Sequence, residues 1–382
     1  MMRPHSPIGV AFSGLLILAV AMGIGRFAFT PLLPMMEKDA DVSIALGGWL
    51  AAANYVGYLL GALSAIRLRF PPARIILASL IAVALFTAGM AYTHEPALWL
   101  LLRMLAGIAS AWVLVFTSAR YLHRLAEAKA SHLNGLVFGG VGVGIILAGL
   151  LCMGFQSVAW SSSASWQALA VAALLLSALA LPALLDKTAG STPVAKAKRQ
   201  AVPRGIAPVV VAYGSFGFGY IIPATFLPAM ARHLIPDPMV FGWAWPVFGL
   251  AGLISTLVAA RLTARHSNRA IWGSAHLIMG LGTALPVLLP GMAGILLAAL
   301  CVGGTFMVVT AMGLQEARRL SPGDPASLMA KLTVAFAIGQ ILGPVCVSLA
   351  PAGDRSLHLL LLVSAALLVV SGFYLLRSRD AD

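Results

Sequence analysis

The chain has 382 residues, of which 60% are hydrophobic and only 10% charged, and it carries a net charge of +13. A soluble domain of this size holds about 25% charged residues, so the composition excludes a water-soluble globule and requires lipid as part of the solvent. The basic excess falls in short loops rather than on one face, which argues against a nucleic-acid partner.

The apolar residues come in runs of about 20, the length that crosses roughly 30 Å of hydrocarbon as a helix. A membrane barrel would alternate polar and apolar residues, and runs such as 357–376 do not. In chain order the predicted spans are 8–36, 45–66, 75–93, 97–119, 133–155, 165–185, 206–231, 240–262, 270–289, 291–314, 328–350 and 357–376. The first follows Arg3 in the manner of a signal peptide. It is too long for one and no small-residue cleavage motif follows it, so it reads as a retained helix. Segment 187–205 is polar, basic and interrupted by Pro and Gly. It reads as a flexible linker between two six-helix halves, 1–186 and 206–382.

Lys and Arg set the expected orientation. With the N-terminus inside, twenty of them fall in inside segments, against Lys38, Arg232 and Arg355 outside. That bias predicts a plasma (inner) membrane protein with both termini cytoplasmic. The three cysteines, Cys152, Cys301 and Cys346, all lie within apolar runs, so neither a disulfide framework nor a zinc cluster is expected. There is no Gly-x-Ser-x-Gly motif, and the Gly-rich run 139–144 lacks the Lys-Ser/Thr of a phosphate loop. No enzyme, cofactor or metal is predicted.

The two halves repeat at an offset of 194. Gly23, Gly25, Pro34 and Met36 meet Gly217, Gly219, Pro228 and Met230; Gly48-Trp49 meets Gly242-Trp243; Leu63, Ala65, Arg67 and Leu68 meet Leu257, Ala259, Arg261 and Leu262. Six spans per half make this a parallel repeat about an axis normal to the membrane.

With a basic linker and cytoplasmic termini, this architecture resembles the major facilitator superfamily of secondary transporters. Arg103-x-x-x-Gly107-x-x-x-Ala111 is similar to that superfamily's motif in span 4, and Gly339-x-x-x-Gly343-Pro344 in span 11 to its Gly-x-x-x-Gly-Pro element. The loop after span 2 departs from the pattern, with Ala65 where an aspartate is usual and Leu68 where a glycine is. The segment Gly25-Arg26-Phe27-Ala28-Phe29-Thr30-Pro31-Leu32-Leu33-Pro34-Met35-Met36 resembles the YbfB/YjiJ-type branch more specifically. The resemblance implies that spans 1, 4, 7 and 10 line a central cavity. Gly23, Gly25, Pro31, Pro34, Gly107, Gly339, Gly343 and Pro344 would then permit close helix contact and bending as the halves rock.

Two arginines, Arg26 and Arg103, interrupt the apolar runs. A charge at bilayer depth costs roughly 2.5–3.5 kcal/mol on insertion scales and tends to face a wet cavity. Helical rise puts the two within about 6 Å of the same depth. No Asp or Glu lies at that depth anywhere in the chain. Such like charges repel unless an anion or several carbonyls sit between them, so the counter-charge is expected to come with the cargo. The alternative for each is a bond to backbone carbonyls or a side chain that snorkels to the outer interface. Arg26 has Tyr220 as its pseudo-equivalent and Arg103 has Leu297 near its own, so both charges belong to the N-terminal half. Tyr213, Tyr220, Thr305 and Gln340, with Asn54 and Tyr58 on span 2, are the candidate aromatic and amide contacts. His276 is expected to be a structural histidine with a proton relay as the alternative. The expected function is a secondary transporter of a small organic anion or amphiphile working by alternating access, with a proton as a candidate coupling ion. The alternative is a broad-specificity drug or metabolite exporter of the same fold.

Overall fold

A computed structural model describes residues 6–186, 206–235, 237–263, 265–321 and 325–378. The linker 187–205 lies outside the described residues. Among those described there is no strand, and twelve helices are long and apolar enough to cross a membrane. They run Pro7–Asp39, Ile44–Ala65, Pro72–Gly89, Pro96–Glu127, Ser131–Ser157, Ser162–Leu184, Ala207–Leu234, Pro238–Thr256, Asn268–Leu288, Met292–Leu320, Ser327–Leu349 and Arg355–Arg377, here called spans 1 to 12. Spans 4 and 10 extend past the predicted ends at 119 and 314, because hydropathy stops where lipid stops while helical hydrogen bonding does not. The added turns carry Arg120 and Arg124 on span 4 and Glu316, Arg318 and Arg319 on span 10. Arg124 caps the end of span 6 by donating to Ala183 O at 2.9 Å and pairing with Asp186 at 2.6 Å. Glu316 is held between Arg269 and Arg319.

Serine begins several of these helices. Ser6, Ser43, Ser161 and Ser267 each accept a backbone N–H three residues on, satisfying donors that a helix start leaves open. The polarity of the fold is inverted relative to a soluble protein. Leu85, Leu179 and Val370 are more than half exposed, while Asn54, Arg26, Arg103, His276 and Gln340 are buried. Such aliphatic side chains line the outer surface that lipid would cover, while the buried polar groups lie among packed rings such as Trp245, Phe216 and Phe29.

Twelve spans put both described ends on one face; the opposite face is called distal here. The two six-helix repeats meet chiefly through spans 1 and 7, 2 and 11, and 5 and 8. The hydrogen bonds that join them run from mid-depth to the distal face. Thr30 Oγ1 donates to Ala224 O at 3.0 Å, Tyr55 OH lies 3.4 Å from Thr225 Oγ1, Ser348 Oγ donates to Ala45 O at 2.8 Å, and Arg232 donates to Pro34 O at 2.7 Å and pairs with Glu37 at 3.4 Å. Thr30 and Ala224 are 194 positions apart, so pseudo-equivalent residues touch at the repeat axis. The bond has a covalent cause. In an α-helix the carbonyl of residue 224 would accept from the N–H of residue 228, and Pro228 has none. Thr30 supplies the missing donor from the other repeat.

The internal packing also repeats. The Cα of Gly23 lies against the backbone of Gly144, joining spans 1 and 5, and Gly217 lies against Phe336, joining spans 7 and 11. Gly107 sits on the Asn54 carbonyl and Gly303 on that of Phe248, joining spans 4 and 2 and spans 10 and 8. A Cβ at any of these would press on backbone rather than on a movable side chain.

Candidate functional site

Span 1 departs from the single regular helix that its sequence suggests. Pro7–Leu18 and Phe29–Asp39 are α-helical, and Ala19–Phe27 between them is a π-helix nine residues long. Long π-helical stretches are rare and tend to mark functional positions. This one contains Gly23, Gly25 and Arg26, and it ends four residues before Pro31. In the π register the carbonyl of residue 26 would accept from the N–H of residue 31, and proline has none to give. Arg103 makes up the deficit. Its Nη2 donates to Arg26 O at 3.0 Å and its Nη1 to Gly25 O at 3.4 Å. Asn54 joins the same frame, its Nδ2 donating to Arg103 O at 2.9 Å and to Gly25 O at 3.4 Å. The ring of Phe29 covers the guanidinium, its centroid 4.8 Å from Arg103 Cζ. The carbonyl alternative thus describes Arg103, which braces the broken turn beside Arg26.

Arg26 is placed differently. It is 3% exposed and its Nη2 donates to Gln340 Oε1 at 2.6 Å, reaching span 11 in the other repeat. The Tyr58 ring lies 4.2 Å from Arg26 Cζ, Tyr55 at 5.1 Å and Phe27 at 5.2 Å. Gln340 passes the contact on, its Nε2 donating to Tyr220 OH. Tyr220 lies parallel to Phe306 and Phe336, with ring centroids 6.0 and 5.8 Å away. Among the described residues neither Arg26 nor Arg103 forms an ion pair with a carboxylate. Arg26 Nε, Arg103 Nε, Asn54 Oδ1 and Ser110 Oγ are all buried without a protein hydrogen-bond partner. Ser110 borders Gly25, so these atoms gather around one turn of span 1.

Of the residues singled out from sequence, Arg26, Tyr58, Gln340 and Tyr220 come together, with Arg103 and Asn54 as the adjoining frame. Two do not join them. Tyr213 belongs to the packing of the second repeat, between Phe216, Trp272 and Phe336, with its hydroxyl 3.4 Å from Thr310 O. Thr305 returns its hydroxyl to its own helix at Cys301 O, 2.6 Å away. Sequence reasoning missed Tyr55, Phe306 and Phe336. For Tyr55 a signal existed, since it precedes Tyr58 by three residues and so shares its helix face. The glycines sit as expected of close contacts: Gly25 against Ser110 and Val83, Gly339 on Gly214 O, and Gly343 on Ile221. Pro31, Pro34 and Pro344 all lie inside helices.

His276 is part of a closed chain. Trp272 Nε1 can only donate and does so to His276 Nε2 at 2.8 Å. The ring proton therefore sits on Nδ1, which lies 2.7 Å from Ser371 Oγ, and Ser371 in turn donates to Leu368 O. Every polar atom of this buried trio has a partner, as a structural histidine requires.

Two six-helix repeats enclosing a polar cluster at their junction define a membrane transporter of the major facilitator fold. The chain belongs to the family described as "Uncharacterised MFS-type transporter YbfB", whose model matches residues 18–376. It is therefore a multi-pass transporter of a small molecule rather than an enzyme. Among solved structures, it is similar to the nucleoside transporter NupG. A point mutant of that protein superposes with a TM-score of 0.72 at 17% identity, covering 96% of this chain and 99% of that one. A second NupG crystal structure gives 0.68 at 16% identity, covering 97% and 100%. At that identity the likeness concerns the fold. No curated protein matches the chain in sequence.

Proposed function

We propose that the protein carries a small organic anion by alternating access, with Arg26 as the principal contact. Segments 1–186 and 206–382 are the moving units, 187–205 is their cytoplasmic linker, and both termini face the cytoplasm of a plasma (inner) membrane. One observation carries this reading. Arg26 is a buried guanidinium at the junction of the repeats whose partners are a neutral amide and aromatic faces, with no carboxylate. An intramembrane charge so placed is a substrate-site candidate. Arg103 and Asn54 hold the carbonyls around it and so act as positioning residues. Glu37, bridging spans 1 and 7 through Arg232 and His233, is the carboxylate best placed to carry a coupling proton.

The test is uptake and efflux of labelled compounds in proteoliposomes. Arg26→Ala abolishes transport of an anionic cargo and Arg26→Lys retains part of it. Normal transport of every candidate cargo by the alanine variant refutes the role. A second reading is favoured by the rings of Tyr58, Tyr220 and Phe306 and the amide of Gln340, which suit a neutral nucleoside-like cargo of the kind that NupG transports. That reading predicts nucleoside uptake that survives Arg26→Lys and is lost with Gln340→Leu. A broad-specificity exporter of lipophilic cations is disfavoured by two buried guanidinium groups.

A further inference from the structure

Resting on the anion reading, we infer that Gln340 is a neutral placeholder for the cargo's carboxylate, and that its displacement couples anion binding to opening of the distal face. A guanidinium presents two N–H groups side by side along one edge, from Nε and Nη2, and a carboxylate fits that edge with both oxygens. In this protein the edge is half filled. Nη2 is taken by Gln340 Oε1 at 2.6 Å, while Nε is buried and has no protein partner. An amide offers one oxygen and no net charge, so it satisfies one of the two donors. A carboxylate satisfies both with two parallel bonds and adds an opposite charge, which the amide lacks. The anion therefore displaces the amide from Nη2.

That exchange has a mechanical consequence because the amide belongs to the other repeat. Arg26–Gln340 is the deepest of the hydrogen bonds that join the repeats, and Thr30–Ala224 and Ser348–Ala45 continue the seam toward the distal face. Gln340 also lies four residues before Pro344, whose missing N–H leaves the Gln340 carbonyl without its helical donor. Span 11 is thus weakened at the residue that must let go. Released from Arg26, Gln340 keeps a partner in Tyr220 OH, so the amide is not stranded. A neutral cargo offers that edge no more than the amide already does and leaves the seam joined.

The experiment measures the distal gap directly. Spin labels are placed at His94, on the loop before span 4, and Arg355, at the start of span 12, both exposed at distal ends of different repeats, with Cys152, Cys301 and Cys346 replaced by alanine. Distances are read by pulsed electron resonance in nanodiscs. Gln340→Ala raises the distal-open population about tenfold without cargo, the ratio expected for losing one hydrogen bond to a charged group. Benzoate, the probe anion, shifts the wild type toward the distal-open distance; Gln340→Glu supplies a tethered carboxylate to Arg26, so it narrows the distribution to the closed distance and abolishes that shift, and a wild type that benzoate does not move overturns the proposal. Gln340→Asn, too short to reach, behaves as a folded control that opens like the alanine variant. If both Gln340→Ala and Gln340→Glu show the wild-type distances, the placeholder idea is wrong. Should Arg26→Ala still lose transport in that case, the anion reading survives alone. If Arg26→Ala transports normally, the anion reading itself fails.

Discussion

Arg26 and Arg103 are the same residue type at nearly the same depth, both 3% exposed, and they do opposite work. Arg103 stays inside the first repeat and donates to the carbonyls of Gly25 and Arg26, the second of which loses its π-register donor to Pro31. Arg26 leaves its repeat and meets an amide and aromatic rings at the seam. The difference comes from geometry. Arg103 sits on span 4 facing the carbonyls of Gly25 and Arg26, while the Arg26 side chain reaches span 11. One guanidinium stabilises the scaffold by giving buried acceptors their donors. The other donates to a neutral amide across the junction where the two repeats meet.

Mutating each member of the pair tests the contrast. Arg103→Ala strands the buried Arg26 carbonyl and leaves Gly25 O to Asn54 alone, and it should lower stability by roughly 2–3 kcal/mol, read as a melting shift in detergent. Arg103→Lys should recover only part of it, because one ammonium does not span two carbonyls as a planar fork does. Next in size is Gly107→Ala, which presses a methyl on the Asn54 carbonyl and disturbs the frame, costing about 1–3 kcal/mol. Gly154→Ala is the control for it, since nothing lies within 4 Å of its added methyl, and it should melt as wild type does. Arg26→Ala should change stability by less than about 1 kcal/mol, because removing a buried charge offsets the lost contacts. Its transport should nevertheless vanish. A large melting loss for Arg26→Ala together with a small one for Arg103→Ala would overturn the assignment of roles. The smallest effect is expected for Thr30→Val, about 0.6 kcal/mol for one interhelical side-chain bond in a membrane, seen as a slight shift toward the distal-open state.

Much of this was legible before any coordinates. Hydropathy alone sets twelve spans, because each must be about as long as the bilayer is thick. The 194-residue offset pairs Thr30 with Ala224, and these prove to touch across the repeat axis. Arg26 and Arg103 stand out because charge in lipid is rare. Their separate fates were not legible, since the same arginine can face a carbonyl or a cavity. The placement of Tyr213 and Thr305 apart from Arg26 was not legible for a related reason: a polar group in a span can be satisfied by its own helix or by its neighbours in the core, and composition does not say which.

The sequence by itself determined that the chain crosses a membrane many times, that it is built from two parallel repeats, and that two positive charges lie deep within the first. Those properties follow from local quantities, namely transfer free energy, run length and internal likeness. Only the tertiary structure decided that span 1 passes through a π-helical stretch, that Arg103 fills the acceptor opened by Pro31, and that Arg26 meets Gln340 from the far repeat. Hydrogen bonds between distant segments depend on directions and on distances of a few tenths of an ångström, and those exist only once the helices have packed.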